Sequence, residues 1–190
     1  MKREFVVPFL HVGHSTRSVA ELAGLLREAG ADLVVDVRTM PRSRTNPQFN
    51  FDALPSTLAS YQIGYRHIGA LGGLRGRRKD QAPSRNTFWE NASFRNYADY
   101  AAAPDFREGL AELRDLGHDH TCAIMCAEAV WWRCHRRIIA DYLIAGGEKV
   151  FHIMGPGKID RASINPAAIQ ELDGTLVYPG GASVSGVMNG

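Results

Sequence analysis

Cysteine is scarce in this chain: Cys122, Cys126 and Cys134 are the only three in 190 residues, an odd number bunched in one segment. That is not the framework of a disulfide-stapled secreted domain, so reduced thiols in a cytoplasmic setting are expected. Long apolar runs are missing as well, and no stretch reaches the roughly 18 residues that a membrane helix needs. The first residues carry Lys2, Arg3 and Glu4 ahead of a short apolar run, too interrupted for a secretory signal. Net charge is only +2, so no overall field demands nucleic acid or an anionic membrane as partner. No internal repeat is visible. What remains, 45% hydrophobic and 22% charged, describes an ordinary globular chain long enough for one substantial core.

The apolar pattern alternates between two periods. Phe5 to Val12 is β-branched and aromatic and stops at Gly13, a first strand with Pro8 at an irregular start. Leu22, Leu25 and Leu26 follow helical spacing over Val19 to Ala29, with Ser18 or Thr16 as cap and Gly30 as stop. Asp32 to Val37 is a near-continuous apolar run, as in a strand buried on both faces of a parallel sheet. After a polar loop from Arg38 to Asn50, a helix is expected over Phe51 to Tyr61 and a short strand over Gly64 to Ile68. The segment from Gly69 to Ser93 lacks periodicity and reads as a functional or mobile loop. Helices follow over Phe94 to Tyr100 and Asp105 to Leu116, broken at Pro104; then a strand over His120 to Cys126, a helix over Trp131 to Ala145 and a strand over Lys149 to Ile153. Beyond Met154 the pattern weakens to a short helix over Pro166 to Leu172 and a short strand over Thr175 to Tyr178. This gives one α/β domain over residues 1–178, with 179–190 a frayed tail. Its class is a three-layer, Rossmann-like open sheet of mainly parallel strands with helices on both faces.

Ligands of such sheets bind outside the carboxyl ends of the strands. The expected ends deliver His14, Ser15 and Thr16; then Asp36 and Arg38, with Arg42 and Ser43 just beyond; then Cys126 and Glu128; then His152. The third strand instead opens into Gly72 and Gly73, whose amides could meet a ligand. Each element has a plainer reading. Gly13 to Thr16 can be a turn with a helix cap, and Asp36 and Arg38, on one face of a strand, can be a buried ion pair. The basic run Arg75 to Lys79 can be a solvated loop or a flap over an anion. Phe88 and Trp89 can be core anchors or a stacking surface.

The segment Cys126-Ala127-Glu128, followed by Arg133-Cys134-His135-Arg136-Arg137, concentrates the most chemistry. Glu128 or Asp36 suits a general base, His14 or His135 a general acid, and Arg133 and Arg136 anion binding. Cys126 is either a buried structural thiol or a nucleophile activated by a helix start and by Arg133 or His135. A phosphatase-like loop needs five residues between cysteine and arginine, but Cys126 and Arg133 enclose six, from Ala127 to Trp132. Adjacent Cys134 and His135 on a helix would point about 100° apart and could not easily share a small ion, so neither a metal nor another cofactor is expected.

In order, Val12-Gly13-His14-Ser15-Thr16, Val35-Asp36-Val37-Arg38 with Pro41 and Ser43, Tyr65 with Leu71-Gly72-Gly73, Met125-Cys126-Ala127-Glu128, Cys134-His135-Arg136 and Val150-Phe151-His152-Ile153 resemble the motifs of the bacterial and archaeal family named domain of unknown function 488. The resemblance spans about residues 8–154 and implies a fold and a site location but no reaction. Together with the clustered arginines it leads to an expected enzyme, a hydrolase or transferase acting on a phosphate-bearing nucleotide, sugar phosphate or nucleic acid. The alternatives are a non-catalytic nucleotide- or nucleic-acid-binding module and a thiol-based site at Cys126.

Overall fold

The computed structural model describes residues 7–77 and 81–181. The start of the expected first strand, Arg78-Lys79 of the basic run and most of the expected tail lie outside them. The elements are β1 (Phe9–Gly13), α1 (Val19–Glu28), β2 (Leu33–Asp36), α2 (Leu54–Ala59), β3 (Gly64–His67), α3 (Ala92–Tyr100), α4 (Pro104–Asp119), β4 (Cys122–Cys126), α5 (Arg136–Ala145), β5 (Val150–Gly155), β6 (Lys158–Arg161), β7 (Ile169–Gln170) and β8 (Leu176–Val177). Strands β1 to β5 are parallel, β6 returns antiparallel beside β5, and the order across the sheet is β3-β2-β4-β1-β5-β6.

The alternation of side chains along each strand supplies two cores. Leu10, Val12, Val34, Ala123 and Met125 pack with α1 and α2 on one face. Phe9, Leu33, Val35, Cys122 and Ile124 pack with α3, α4 and α5 on the other. The sheet is therefore covered on both sides, which explains why its inner strands read as unbroken apolar runs. Helix α1 starts on a capping box: the Ser18 hydroxyl accepts from the Glu21 amide, and the Glu21 carboxylate accepts from the Ser18 amide. Thr16 is left free of the cap.

Chain order then makes a crevice. From β1 the chain leaves to α1 on one face, while from its neighbour β4 it leaves to α5 on the other. Adjacent strands whose connections diverge open a gap between their carboxyl ends, the usual ligand position in open α/β sheets.

Three expectations are corrected. The helix expected from Trp131 begins only at Arg136; Trp131 to Arg133 form a 3-10 turn, and Cys134 is extended, with φ −124° and ψ 144°. Pro166 to Leu172 is no helix; Ile169–Gln170 pairs with Leu176–Val177 across a turn in which Gly174 takes φ +84° and the Asp173 carboxylate accepts from the Thr175 amide. Helix α4 runs to Asp119, past Leu116, because Gly117 leaves room for the Phe9 ring, which a Cβ would meet at 2.5 Å.

The C-terminal segment is tied to α5 by two polar anchors. The buried Asp141 carboxylate accepts from the Asn165 amide at 2.8 Å and from the Tyr178 hydroxyl at 2.9 Å. Tyr142 Oη accepts from the Leu176 amide at 3.0 Å. Burial pushes the Asp141 carboxyl up from 3.8 to about 6, against those hydrogen bonds. The folded state therefore holds this proton more tightly than the unfolded chain. As pH rises from about 4 to about 6 the unfolded state ionises first, and this group's contribution to stability falls by up to about 3 kcal/mol, then levels off. Melting of the protein and its Asp141→Asn variant at pH 4, 5, 6 and 7 tests this: the variant's Tm relative to the parent should climb between pH 4 and 6 and then plateau. A difference independent of pH would contradict it.

Candidate functional site

A cleft of about 760 Å³ occupies the crevice between the β1 and β4 carboxyl ends. Of the residues expected from sequence, His14, Ser15, Thr16, Arg38, Arg42, Ser43, Gly73, Cys126, Glu128, Arg133 and His135 line it. Asp36, Gly72 and Arg136 do not, and neither does His152, which is buried within β5 with its ring stacked on Trp131 at 4.4 Å.

Asp36 ends β2 with no exposed surface. Its carboxylate accepts from Arg38 Nη2 at 2.6 Å, from Arg38 Nε at 2.9 Å and from the Tyr65 hydroxyl at 2.7 Å. With its lone pairs engaged and no access to the cleft, Asp36 is not placed to act as a base; it holds Arg38. The guanidinium of Arg38 also donates to the Phe49 carbonyl at 2.6 Å and lies 3.3 Å from His14 Nε2. His14 Nδ1 is 2.9 Å from the Ser15 carbonyl, which assigns its proton there and leaves Nε2 to accept from Arg38. Burial lowers His14 to about 4, so the ring is neutral near pH 7. Stacked on Phe49 at 4.1 Å, it steadies Arg38 and has no proton to give into the cleft. Ser15 beside it takes φ +50°, a left-handed conformation that a serine adopts only when its surroundings hold it there.

Across the crevice, the turn after β4 crosses directly over Gly13, where any Cβ would collide with the Glu128 carbonyl and Ala129 Cα. Arg136 fixes this crossing from beneath. Only 1% exposed, its guanidinium donates to the Glu128 carbonyl at 2.6 Å and, through Nε, to Cys134 Sγ at 3.2 Å. Arg136 is thus a buried clamp behind the cleft and not an anion-binding side chain within it. The clamp leaves the Glu128 side chain exposed at the cleft, where no cation pairs with it among the described residues.

The glycine-rich segment after β3 reaches the cleft through Gly73 and the adjoining Leu74. Gly72 packs against the Thr39 backbone, and a Cβ on Gly73 would strike the His135 imidazole. Arg75 is turned away: it donates to the Gly69 and Gly72 carbonyls and lies 3.8 Å over the Tyr100 ring, so it pins the loop instead of serving as a flap. Trp89 is a core anchor covered by the Arg137 guanidinium at 4.6 Å. Among the described residues, the cations of the cleft without a close ion pair are Arg133 and Arg42, the latter lying 5.0 Å over the Phe51 ring and loosely paired with Asp52 at 4.0 Å.

Cys134, read from sequence as part of a helix, lines the cleft instead. Its sulfur lies within 4.8 Å of Cys126 Sγ, and the two thiols share a proton held mainly by Cys126. That bond to Cys134, together with burial, pushes the Cys126 thiol up, so Cys126 is protonated and poorly suited to nucleophilic attack. Burial would raise Cys134 too, but the Cys126 bond and the Arg136 charge, with the His135 ring alongside, outweigh it and hold Cys134 well below the ordinary thiol value. Sequence reasoning also missed Asn91 and Ser93 at the start of α3, where Asn91 Oδ1 caps the helix by accepting from the Ser93 amide at 2.8 Å. The signal was an Asn-x-Ser pair ahead of a helix; nothing in its spacing tied it to strands so distant in the chain.

The fold and cleft together define an α/β protein with a polar, arginine-bearing site at the switch point of a parallel sheet. Residues 18–143, roughly two thirds of the chain, match the family described as Domain of unknown function DUF488, and the chain belongs to it. His14 to Thr16 and β5 fall outside that matched range. No curated protein and no solved structure matches the chain. Among the described residues no helix is long and apolar enough to cross a membrane.

The Asp36–Arg38 pair yields a direct test. Removing one partner of a buried pair strands the other charge, at a cost of about 3–5 kcal/mol. Chemical denaturation should therefore show Asp36→Ala destabilised by that amount, with Asp36→Ala/Arg38→Met recovering part of the loss. An Asp36→Ala protein as stable as the parent would show that the pair does not hold this edge of the cleft.

Proposed function

We propose that the cleft binds a phosphate-bearing small molecule, such as a nucleotide or a sugar phosphate, and that the protein is a hydrolase or transferase acting on it. One observation carries this reading. Arg38, Arg42 and Arg133 line the same cleft as a single exposed carboxylate, Glu128, that no cation neutralises among the described residues. A structural ion-pair network would have satisfied that carboxylate. Guanidiniums offer forked, charge-assisted donors suited to phosphoryl oxygens, and the capped start of α3 adds a favourable dipole on the same side. The cleft volume falls in the ~300–1,000 Å³ range of small-molecule sites, which favours a nucleotide-sized ligand over a nucleic-acid duplex.

In this reading Glu128 takes a proton from an attacking water or acceptor hydroxyl, while the arginines absorb the charge that develops on the transferred or departing group. Arg38 arrives already oriented by Asp36 and His14, so little ordering is left for substrate to supply.

Calorimetric titration with adenosine monophosphate, ribose 5-phosphate and inorganic phosphate, paired with turnover assays on phosphate esters and nucleotides, tests the proposal. Arg133→Ala should weaken binding about 10-fold, in keeping with the loss of one hydrogen bond to a charged group. Glu128→Gln should bind as well as the parent or more tightly, yet lose at least ~100-fold in turnover. Failure of every phosphate compound to bind would overturn the anion assignment. Unchanged turnover in Glu128→Gln would overturn the catalytic one, and tight binding without any turnover would favour the non-catalytic module.

A further inference from the structure

Cys126, Cys134 and His135 meet at the wall of the cleft. One donor atom from each lies within 4.8 Å of the other two, and Cys134 Sγ stands 3.6 Å from His135 Nδ1. In a tetrahedral zinc site, with metal–sulfur bonds of about 2.3 Å and metal–nitrogen bonds of about 2.0–2.1 Å, such atoms stand about 3.5–3.8 Å apart. A small closure would centre an ion among them. The 3-10 turn makes this possible: Cys134 is extended ahead of α5, so its side chain escapes the 100° divergence from His135 that a continuous helix would impose.

The surroundings of the three donors point the same way. His135 Nε2 is 3.2 Å from the Val37 carbonyl, which places the ring proton on Nε2 and leaves the Nδ1 lone pair turned toward sulfur. Metal-binding histidines are characteristically oriented by such a bond from their other nitrogen. The Cys134 sulfur accepts an N–H from Arg136 Nε at 3.2 Å. Donors of that kind stabilise thiolate ligands. All three residues line the cleft, whose wall also carries Glu128 and the arginines.

We propose that Cys126, Cys134 and His135 bind one zinc-type divalent ion, with its fourth position open to the cleft. Three protein ligands and one open position form the pattern of zinc sites that act on a ligand, as opposed to closed structural sites. Two thiolates would balance the ion, and the buried Arg136 charge behind them leaves the site net positive, which suits water, hydroxide or an anionic ligand atom in the fourth place. The proposal goes beyond the phosphate reading and does not require it, since metal uptake and phosphate binding are measured separately.

The test uses the full-length protein, purified under reducing conditions, stripped with chelator and titrated with Zn²⁺ or Co²⁺ alone. The expected result is one equivalent of metal by elemental analysis. The cobalt form should show the intense visible bands of a tetrahedral ion with thiolate-to-cobalt charge transfer in the near ultraviolet. Cys126→Ser, Cys134→Ser and His135→Gln should each lose the stoichiometric ion, while Cys122→Ser, at the other end of β4, keeps it. Should the ligand variants fail to fold by circular dichroism, X-ray absorption of the zinc-loaded parent decides, with two sulfurs and at least one nitrogen expected around the ion. A parent protein that takes up no metal, cobalt spectra without thiolate charge transfer, or uptake unchanged in a folded Cys134→Ser variant would overturn the proposal.

Discussion

The guanidinium of Arg136 governs where chemistry is possible in this protein. It is buried at the start of α5, and no carboxylate pairs with it among the described residues; its guanidinium donates to a carbonyl and a sulfur. A charge in that setting is costly unless its few partners are held in good geometry, and they are. The Glu128 carbonyl is fixed over Gly13, which sets the Glu128 side chain at the cleft. The Cys134 sulfur is fixed beside Cys126 and His135. The same charge reaches the buried imidazoles of His11 and His152 beneath the site; burial foremost, aided by Arg136, keeps both rings neutral near pH 7. One side chain outside the cleft thereby organises the carboxylate, the thiols and the neutral layer below them.

A second buried cation, Arg38, works by the opposite logic. Its charge is neutralised by Asp36 in a forked pair, and its remaining donors are directed to the Phe49 carbonyl and His14. Because Asp36 is fully enclosed, Arg38 comes to the cleft edge with its orientation settled. Arg42 and Arg133 are exposed and free to move toward a ligand. Among the described residues, the cleft thus combines one preorganised cation with two adaptable ones and a single carboxylate.

The sheet was legible in the sequence because its inner strands are covered on both faces. Val34, Val35, Ala123 and Ile124 must all be apolar, and such runs stand out. Strand-end reasoning also found about half of the cleft, since Cys126 ends β4 and His14, Arg38 and Glu128 lie within two residues of the ends of β1, β2 and β4. What stayed hidden depends on pairing across the fold. Nothing in the spacing shows that Asp36 faces Tyr65 or that Arg136 turns inward to a carbonyl. The break before α5 was hidden because Trp131 to Ala145 has helical composition throughout, and only the seating of Trp131 against His152 and of Cys134 against Cys126 pulls the first turn out of register. Strands β6 to β8 are short, peripheral and defined by partners, so they leave little periodicity to read.

That the β1–β4 crevice is the ligand site is open to a direct physical check, independent of any reaction. Pyrophosphate added to isotopically labelled protein should move backbone amide resonances of residues 14–16, 38–43 and 127–135, and leave those around Gly69, Tyr100 and Glu112, which line a separate surface hollow, in place. Shifts concentrated in that second hollow, or none at all at millimolar ligand, would contradict it.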